Sequence, residues 1–138
     1  MTPRTPRGGH EGRNRRISFG LVLLGGFLLA AGCATARNYS DPDSLGRLIA
    51  ERTEPYILVD VRTVGEFDRG HIPTAINIPV TEISEKPPTP DRSALIIVYC
   101  ASGMRSATAE RRLQALGFTH VVDFGGISRW KGLLVGGG

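Results

Sequence analysis

The chain has 138 residues and a formal net charge of +4 at pH 7, and this length is that of about one domain. Five arginines and one glutamate within residues 1–33 account for all of that charge, because the 12 basic and 12 acidic residues that follow balance one another. We therefore expect no nucleic-acid binding, which needs basic residues clustered on the folded domain. The two cysteines and three histidines are scattered along the chain, so we expect no metal site.

The first 33 residues have the composition of an export signal. Arginines within residues 13–16 precede an apolar stretch at 17–31, a pattern typical of secretory leaders. This stretch is shorter than the roughly 20 apolar residues that span a bilayer. Residues 29–33 (Leu-Ala-Ala-Gly-Cys) resemble the lipobox of bacterial lipoproteins, whose cysteine is acylated. We expect residues 1–33 to be a signal peptide with lipidation at Cys33, the alternative being an uncleaved signal anchor. Both would place residues 34–138 outside the cytoplasm on a membrane surface.

Short apolar runs alternate with helical segments after residue 34, which indicates an α/β domain with a parallel sheet. Asp41 followed by Pro42 is typical of a helix start, and Thr63 with Glu66 has capping-box spacing. The predicted elements, in chain order, are a helix from residue 41 to about 49, a strand at 57–61, a short helix from 63, strands at 75–78 and 94–99, a helix at 106–116, a strand at 121–124 and a helix at about 127–134.

Cys100 directly follows the most apolar of these strands, and residues 101–106 lead into the next helix. Ligands of open parallel sheets bind outside the carboxyl ends of the strands. Backbone N–H groups and a helix N-terminus at such a place stabilise a thiolate and lower its pKa. Gly103 lets the loop fold tightly, and Arg105 adds a cation. The pattern predicts a nucleophilic cysteine, although a small core cysteine at the end of a strand is the alternative.

Three segments of this domain resemble the signature sequences of the rhodanese family. They are residues 60–79, which include Gly70-His71-Ile72-Pro73, residues 98–106 around Cys100, and residues 113–130, which include Gly125-Gly126. The resemblance covers about residues 39–134, in the family's order. It implies an α/β fold of three layers, in which a central, mostly parallel five-stranded sheet is flanked by helices. One departure is Thr74, where the family usually has glycine.

The resemblance also implies a sulfurtransferase whose Cys100 carries sulfur as a persulfide, with no cofactor. The donor would be thiosulfate or a persulfide, and the acceptor a small thiophile or a protein thiol. Arg105 would assist catalysis by binding anions. Asp60 and Arg62 would brace the loop, and Arg62 would pair with Glu66. The substrate would be held by the loop residues Ala101, Ser102, Gly103, Met104 and Ser106.

The length of the Cys100 loop and the position of His71 bear on other functions that the same fold could have. Four residues separate Cys100 from Arg105, whereas the phosphatases of this fold have a loop longer by one residue, so phosphatase activity is less expected. A non-catalytic binding or redox-sensing module is a further alternative, as is a persulfide carrier. His71 resembles a residue of a structural turn, and we do not expect it to act as a general base.

Overall fold

The computed structural model describes residues 37–136. The expected leader, with its lipidation site at Cys33, lies outside these residues. No helix within the described range is long and apolar enough to cross a membrane.

The described residues form a four-stranded, wholly parallel sheet in the order β2-β1-β3-β4. A parallel sheet between helices was expected, but five strands were expected and the described residues form four. Within residues 37–136, the chain after the last strand adds one antiparallel bridge, between His71 and Val135. The elements are α1 (Pro42–Glu51), β1 (Ile57–Asp60), α2 (Val64–Asp68), β2 (Ile76–Asn77), β3 (Leu95–Cys100), α3 (Met104–Ala115), β4 (His120–Gly126) and a 3₁₀ helix (Ile127–Arg129).

The predicted starts of α1 and α2 are confirmed. Asp41 caps α1 by accepting a hydrogen bond from the Ser44 amide at 2.9 Å, and Pro42 is the first helical residue. Thr63 and Glu66 form the complete capping box of α2. The predicted helix at 127–134 is wrong, because Trp130 has extended backbone angles and its indole N–H donates to the Leu133 carbonyl.

Alternate side chains of the central strand β3 enter two hydrophobic clusters on opposite faces of the sheet. Ile97 and Tyr99 pack on the side of α1, together with Leu45 and Leu48 of that helix. The other face is covered by α3. Its cluster consists of Val59, Val61, Ile83, Ile96, Val98, Cys100, Ala109, Leu113 and Phe118. The alternation therefore directs the Cys100 side chain to the face on which α3 packs.

The pairing of β3 with β4 contains an irregularity one residue before Cys100. Val98 pairs with Asp123 and Tyr99 pairs with Gly125, so Phe124 is an extra residue in β4. After this bulge, Gly126 pairs with Cys100. The bulge thus brings the glycine pair of β4 beside the end of β3.

Thr74 has a left-handed backbone with φ of 72°, at the position where the family usually has glycine. Residues with a Cβ atom rarely adopt this conformation. Its hydroxyl lies 2.9 Å from the hydroxyl of Tyr56, and this hydrogen bond holds the turn that follows Ile72 and Pro73.

Candidate active site

Cys100 ends β3 and is completely buried. It is the free cysteine of the described part of the chain. The amide of Gly103 donates to its Sγ at 3.0 Å, and the Ser106 hydroxyl oxygen lies 3.6 Å from the same sulfur. A thiol can donate to that hydroxyl, and after ionisation the hydroxyl can donate to the thiolate instead. The loop therefore folds back over the sulfur and directs donors at it.

The turn of this loop depends on Gly103, which has φ of 104° and is the N-cap residue of α3. Such an angle is accessible to glycine at little cost. The Ser106 hydroxyl donates to the Gly103 carbonyl at 2.9 Å, which fixes the first turn of α3 against the loop. The N-terminus of α3, with its free N–H groups and positive potential, consequently faces Cys100.

The loop lowers the pKa of the Cys100 thiol despite its burial. Burial is the largest single influence, and by itself it would raise the pKa. Hydrogen bonds from the Ser106 hydroxyl and from the amides of Ser106, Gly103 and Ser102 stabilise the thiolate and outweigh burial. The pKa of Cys100 therefore lies below its ordinary value, so a larger fraction of this thiol than of an ordinary cysteine is the nucleophilic thiolate near neutral pH.

The two glycines at the end of β4 form the floor beneath the loop. A Cβ atom on Gly126 would lie 2.8 Å from the Ala101 carbonyl oxygen and 3.3 Å from Ser102 Cα. A Cβ atom on Gly103 would lie 3.7 Å from the Cα atom of Gly125. Any side chain on Gly126 would push the loop outward and move its N–H groups away from the sulfur.

Arg105 is held by Glu66 rather than directed freely toward Cys100. Two of its guanidinium nitrogens donate to the two Glu66 oxygens at 2.7 and 2.9 Å. The expected pairing of Glu66 with Arg62 is therefore wrong. Arg62 pairs with Asp60 instead. Asp60 is the last residue of β1, and its buried carboxylate accepts hydrogen bonds from the Arg62 guanidinium.

Asp60 and Arg62 brace a turn, and the contacts of their side chains do not include the Cys100 loop. Asp60 accepts from Arg62 through both oxygens, with distances of 2.6 to 3.0 Å, and both residues are buried. Arg62 also donates to the Gly70 carbonyl at 2.7 Å. Asp60 and Arg62 were expected to brace the loop. Their side chains instead link the end of β1 to the turn at His71.

The remaining loop residues predicted to hold substrate lie on the outer side of the site. Ala101 and Ser102 are exposed, and the side chain of Met104 is 81% exposed. Ser102 contributes its amide to the stabilisation of the thiolate. These residues can therefore contact a substrate through backbone groups and through the rim of the site.

His71 is part of the turn before β2. Its ring stacks on Phe67 with centroids 3.6 Å apart, and Nδ1 lies 3.0 Å from the Phe67 carbonyl oxygen. This packing agrees with a structural role. Within residues 37–136, no group of three or more His, Cys, Asp or Glu side chains could hold a metal ion.

Residues 41–133, more than half of the chain, match the sequence profile of the Rhodanese-like domain. The chain belongs to the rhodanese-like domain family. It is 35% identical over 94 residues to a sulfurtransferase of Allochromatium vinosum, covering 67% of this chain and 87% of that one. It is 38% identical over 71 residues to the thiosulfate sulfurtransferase PspE of Escherichia coli, covering 50% of this chain and 68% of the relative. A rhodanese-like domain protein from Staphylococcus aureus has a similar structure, with 34% identity, a TM-score of 0.58, and coverage of 67% of this chain and 91% of that chain.

These relatives confirm the predicted fold class and the predicted enzyme class. The protein is a rhodanese-type sulfurtransferase, and its sheet and helices match solved rhodanese structures. A sulfur donor and a sulfur acceptor are therefore its general substrates.

Two residues that fix the strand ends and the turn near the rhodanese site were not identified from the sequence. Asn77 donates to the backbone carbonyls of both Asp60 and Arg62, at 2.9 and 3.0 Å. The hydroxyl of Tyr99 accepts from the Ile72 amide at 3.1 Å, which ties β3 to the same turn. The positions of Asn77 and Tyr99 in the sequence could have indicated these two residues, because each lies at or near the carboxyl end of a strand. Sequence spacing gives no sign of the pairing of Glu66 with Arg105, which are 39 residues apart.

Proposed function

We propose that this protein is an extracytoplasmic sulfurtransferase that moves sulfane sulfur from thiosulfate or a persulfide to a thiophilic acceptor through a persulfide on Cys100. The observation that carries this proposal is the convergence of the Gly103 amide and the Ser106 hydroxyl on the buried Cys100 sulfur. Such a cradle stabilises negative charge on a sulfur held at this point. Thiosulfate as donor is supported by the name of the Escherichia coli relative.

In the first step, the Cys100 thiolate attacks the outer sulfur of thiosulfate. A bond forms between the two sulfurs, the S–S bond of thiosulfate breaks, and sulfite leaves with the bonding electron pair. The negative charge then resides on the terminal sulfur of the Cys100 persulfide. The N–H groups of residues 101–106 and the N-terminus of α3 would stabilise that charge.

In the second step, a nucleophilic acceptor attacks the terminal sulfur of the persulfide. The bond between the two sulfurs of the persulfide breaks, and the electron pair returns to Cys100 as the thiolate. Cyanide would leave as thiocyanate, and a thiolate acceptor would leave as a persulfide. The cycle uses no general base, and the loop shifts the thiol of Cys100 toward its ionised form by lowering its pKa.

Mass spectrometry of the purified full-length chain in detergent tests this function. After incubation with thiosulfate, the intact mass should increase by one sulfur atom, and addition of cyanide should remove the adduct and release thiocyanate. An unchanged mass without thiocyanate would contradict the proposal. An aryl phosphate assayed in parallel should show negligible hydrolysis, since the loop is short for a phosphoryl group; substantial hydrolysis would support a phosphatase instead.

The extracytoplasmic, membrane-anchored location is part of the same proposal and is supported by the leader alone. Residues 13–33 combine the basic segment, the apolar stretch and the lipobox-like end at Cys33. Inhibition of the lipoprotein signal peptidase in the producing bacterium should cause an uncleaved precursor to accumulate. Normal processing under that inhibition would rule out lipidation at Cys33.

A further inference from the structure

The only basic side chain in the loop from Cys100 to Ser106 is already paired. Arg105 makes two hydrogen bonds to the carboxylate of Glu66, at 2.7 and 2.9 Å. Both side chains are partly buried, with 35% and 25% of their surfaces exposed. A bidentate pair of this kind uses the edge of the guanidinium formed by its two terminal nitrogens, and those N–H groups would otherwise be available to an anionic substrate.

Glu66 cannot easily turn away from Arg105, because the start of α2 holds its carboxylate. Its Oε2 atom accepts from the Thr63 amide at 3.0 Å and from the Thr63 hydroxyl at 2.9 Å. The hydrogen bonds from Arg105 and then those from Thr63 hold the pKa of Glu66 well below its usual range. Glu66 is therefore a fixed negative charge beside the loop.

Two ion pairs fix the charges of the residues at the end of β1, at the start of α2 and in the Cys100 loop. Asp60 and Arg62 neutralise one another, and Glu66 neutralises Arg105. Glu66 is also the main cause of the raised pKa of Arg105, to which the charges of Cys100 and Asp60 add. Pairing with Glu66 thus reduces the positive potential that Arg105 would present to a donor with two negative charges, and it weakens the binding of such a donor accordingly.

We propose that Glu66 is a positioning residue that sets donor specificity: by holding Arg105, it disfavours doubly charged donors such as thiosulfate and favours singly charged thiosulfonates and organic persulfides. This inference rests on the proposed function of Cys100. With a thiosulfonate, the thiolate would attack the terminal sulfur, the S–S bond would break, and a sulfinate would leave with the electron pair. The product is the same Cys100 persulfide, so the donors differ in charge and leaving group only.

A pair of matched donors tests this inference on the full-length enzyme. Methanethiosulfonate differs from thiosulfate by a methyl group in place of one charged oxygen. Glu66→Gln removes the negative charge but keeps a side chain that completes a capping box. The variant should raise kcat/KM for thiosulfate about tenfold, mainly through KM, and that for methanethiosulfonate by no more than about threefold. The ratio of the two values does not depend on the fraction of folded enzyme.

Two further variants provide the controls. Glu51→Gln removes an equal charge from the exposed end of α1, before the amino end of β1, and should leave the donor ratio unchanged. In an Arg105→Gln background, Glu66→Gln should change the donor ratio by less than about half as much, since Glu66 acts through Arg105. An unchanged donor ratio in Glu66→Gln, or an equal change in Glu51→Gln, would overturn the inference. Absence of the persulfide with both donors in the wild type would instead contradict the proposed function.

Discussion

Replacement of Cys100 by serine is expected to reduce thiocyanate formation by a factor of about 10³ or more, to the level without enzyme. A hydroxyl cannot form a persulfide, and it is not ionised near neutral pH. The serine should be accommodated, because the Gly103 amide and the Ser106 hydroxyl can pair with its oxygen as they do with the sulfur. The measurement is the initial rate with thiosulfate and cyanide, together with the intact mass after thiosulfate alone.

A variant that folds as the wild type does and still releases thiocyanate would exclude Cys100 as the sulfur carrier. Urea unfolding is the control for folding, since the midpoint should move little. The second cysteine, Cys33, is present in both proteins, so any adduct that persists in Cys100→Ser would belong to Cys33.

The reactivity of Cys100 should also depend on pH in a defined direction. The loop lowers the pKa of the thiol, so the thiolate fraction rises with pH through a midpoint below that of an ordinary cysteine. Alkylation by iodoacetamide should follow that lower midpoint in the Cys33→Ser protein, and the midpoint should return to the ordinary range when urea unfolds the chain. Equal midpoints in the folded and unfolded chain would show that the loop does not stabilise the thiolate.

Arg62→Met is expected to lower the free energy of unfolding by about 3–5 kcal/mol, the usual effect of removing one partner of a buried ion pair. Asp60 is completely buried and would lose the guanidinium that neutralises it. The Gly70 carbonyl would lose its donor as well. Urea denaturation followed by far-ultraviolet circular dichroism measures this loss.

Lys86→Met is the matched control for Arg62→Met. It removes the cation of an exposed pair with Glu82, whose side chains are 72% and 45% exposed, and such pairs contribute about 0–1 kcal/mol. The double variant Asp60→Asn/Arg62→Met should recover part of the stability, because no unpaired charge is left buried. Equal losses in Arg62→Met and Lys86→Met would show that the burial of the Asp60–Arg62 pair has no energetic consequence.

The local features of the fold were predictable because they depend on neighbouring residues. The N-cap at Asp41, the capping box of Thr63 and the strand before Cys100 each follow from a short pattern, and each is confirmed. The buried position of Cys100 at a strand end, under a loop that begins a helix, follows from the alternation of apolar and polar segments. The glycine with positive φ in that loop was predictable for the same reason.

The features that were mispredicted depend on side-chain hydrogen bonds that a short sequence pattern does not specify. Arg62 and Glu66 have a spacing that suggests an ion pair, but Asp60 lies nearer to Arg62 and is buried, so it takes the guanidinium. Glu66 then pairs with Arg105, which only the packing of α2 beside the loop brings within reach. The 3₁₀ helix likewise ends at Arg129, and the indole of the extended Trp130 donates to the Leu133 carbonyl in the chain that follows it.

The bulge at Phe124 makes this site sensitive to chain length as well as to composition. Residues after the bulge pair with β3 one position later than a regular ladder would give, and this offset places Gly126 opposite Cys100. Insertion of one residue directly before Gly126 would place the inserted residue opposite Cys100, and any side chain on it would occupy the space beneath the loop. We therefore expect an insertion in this short segment to be poorly tolerated, even where each single substitution outside the glycines is accepted.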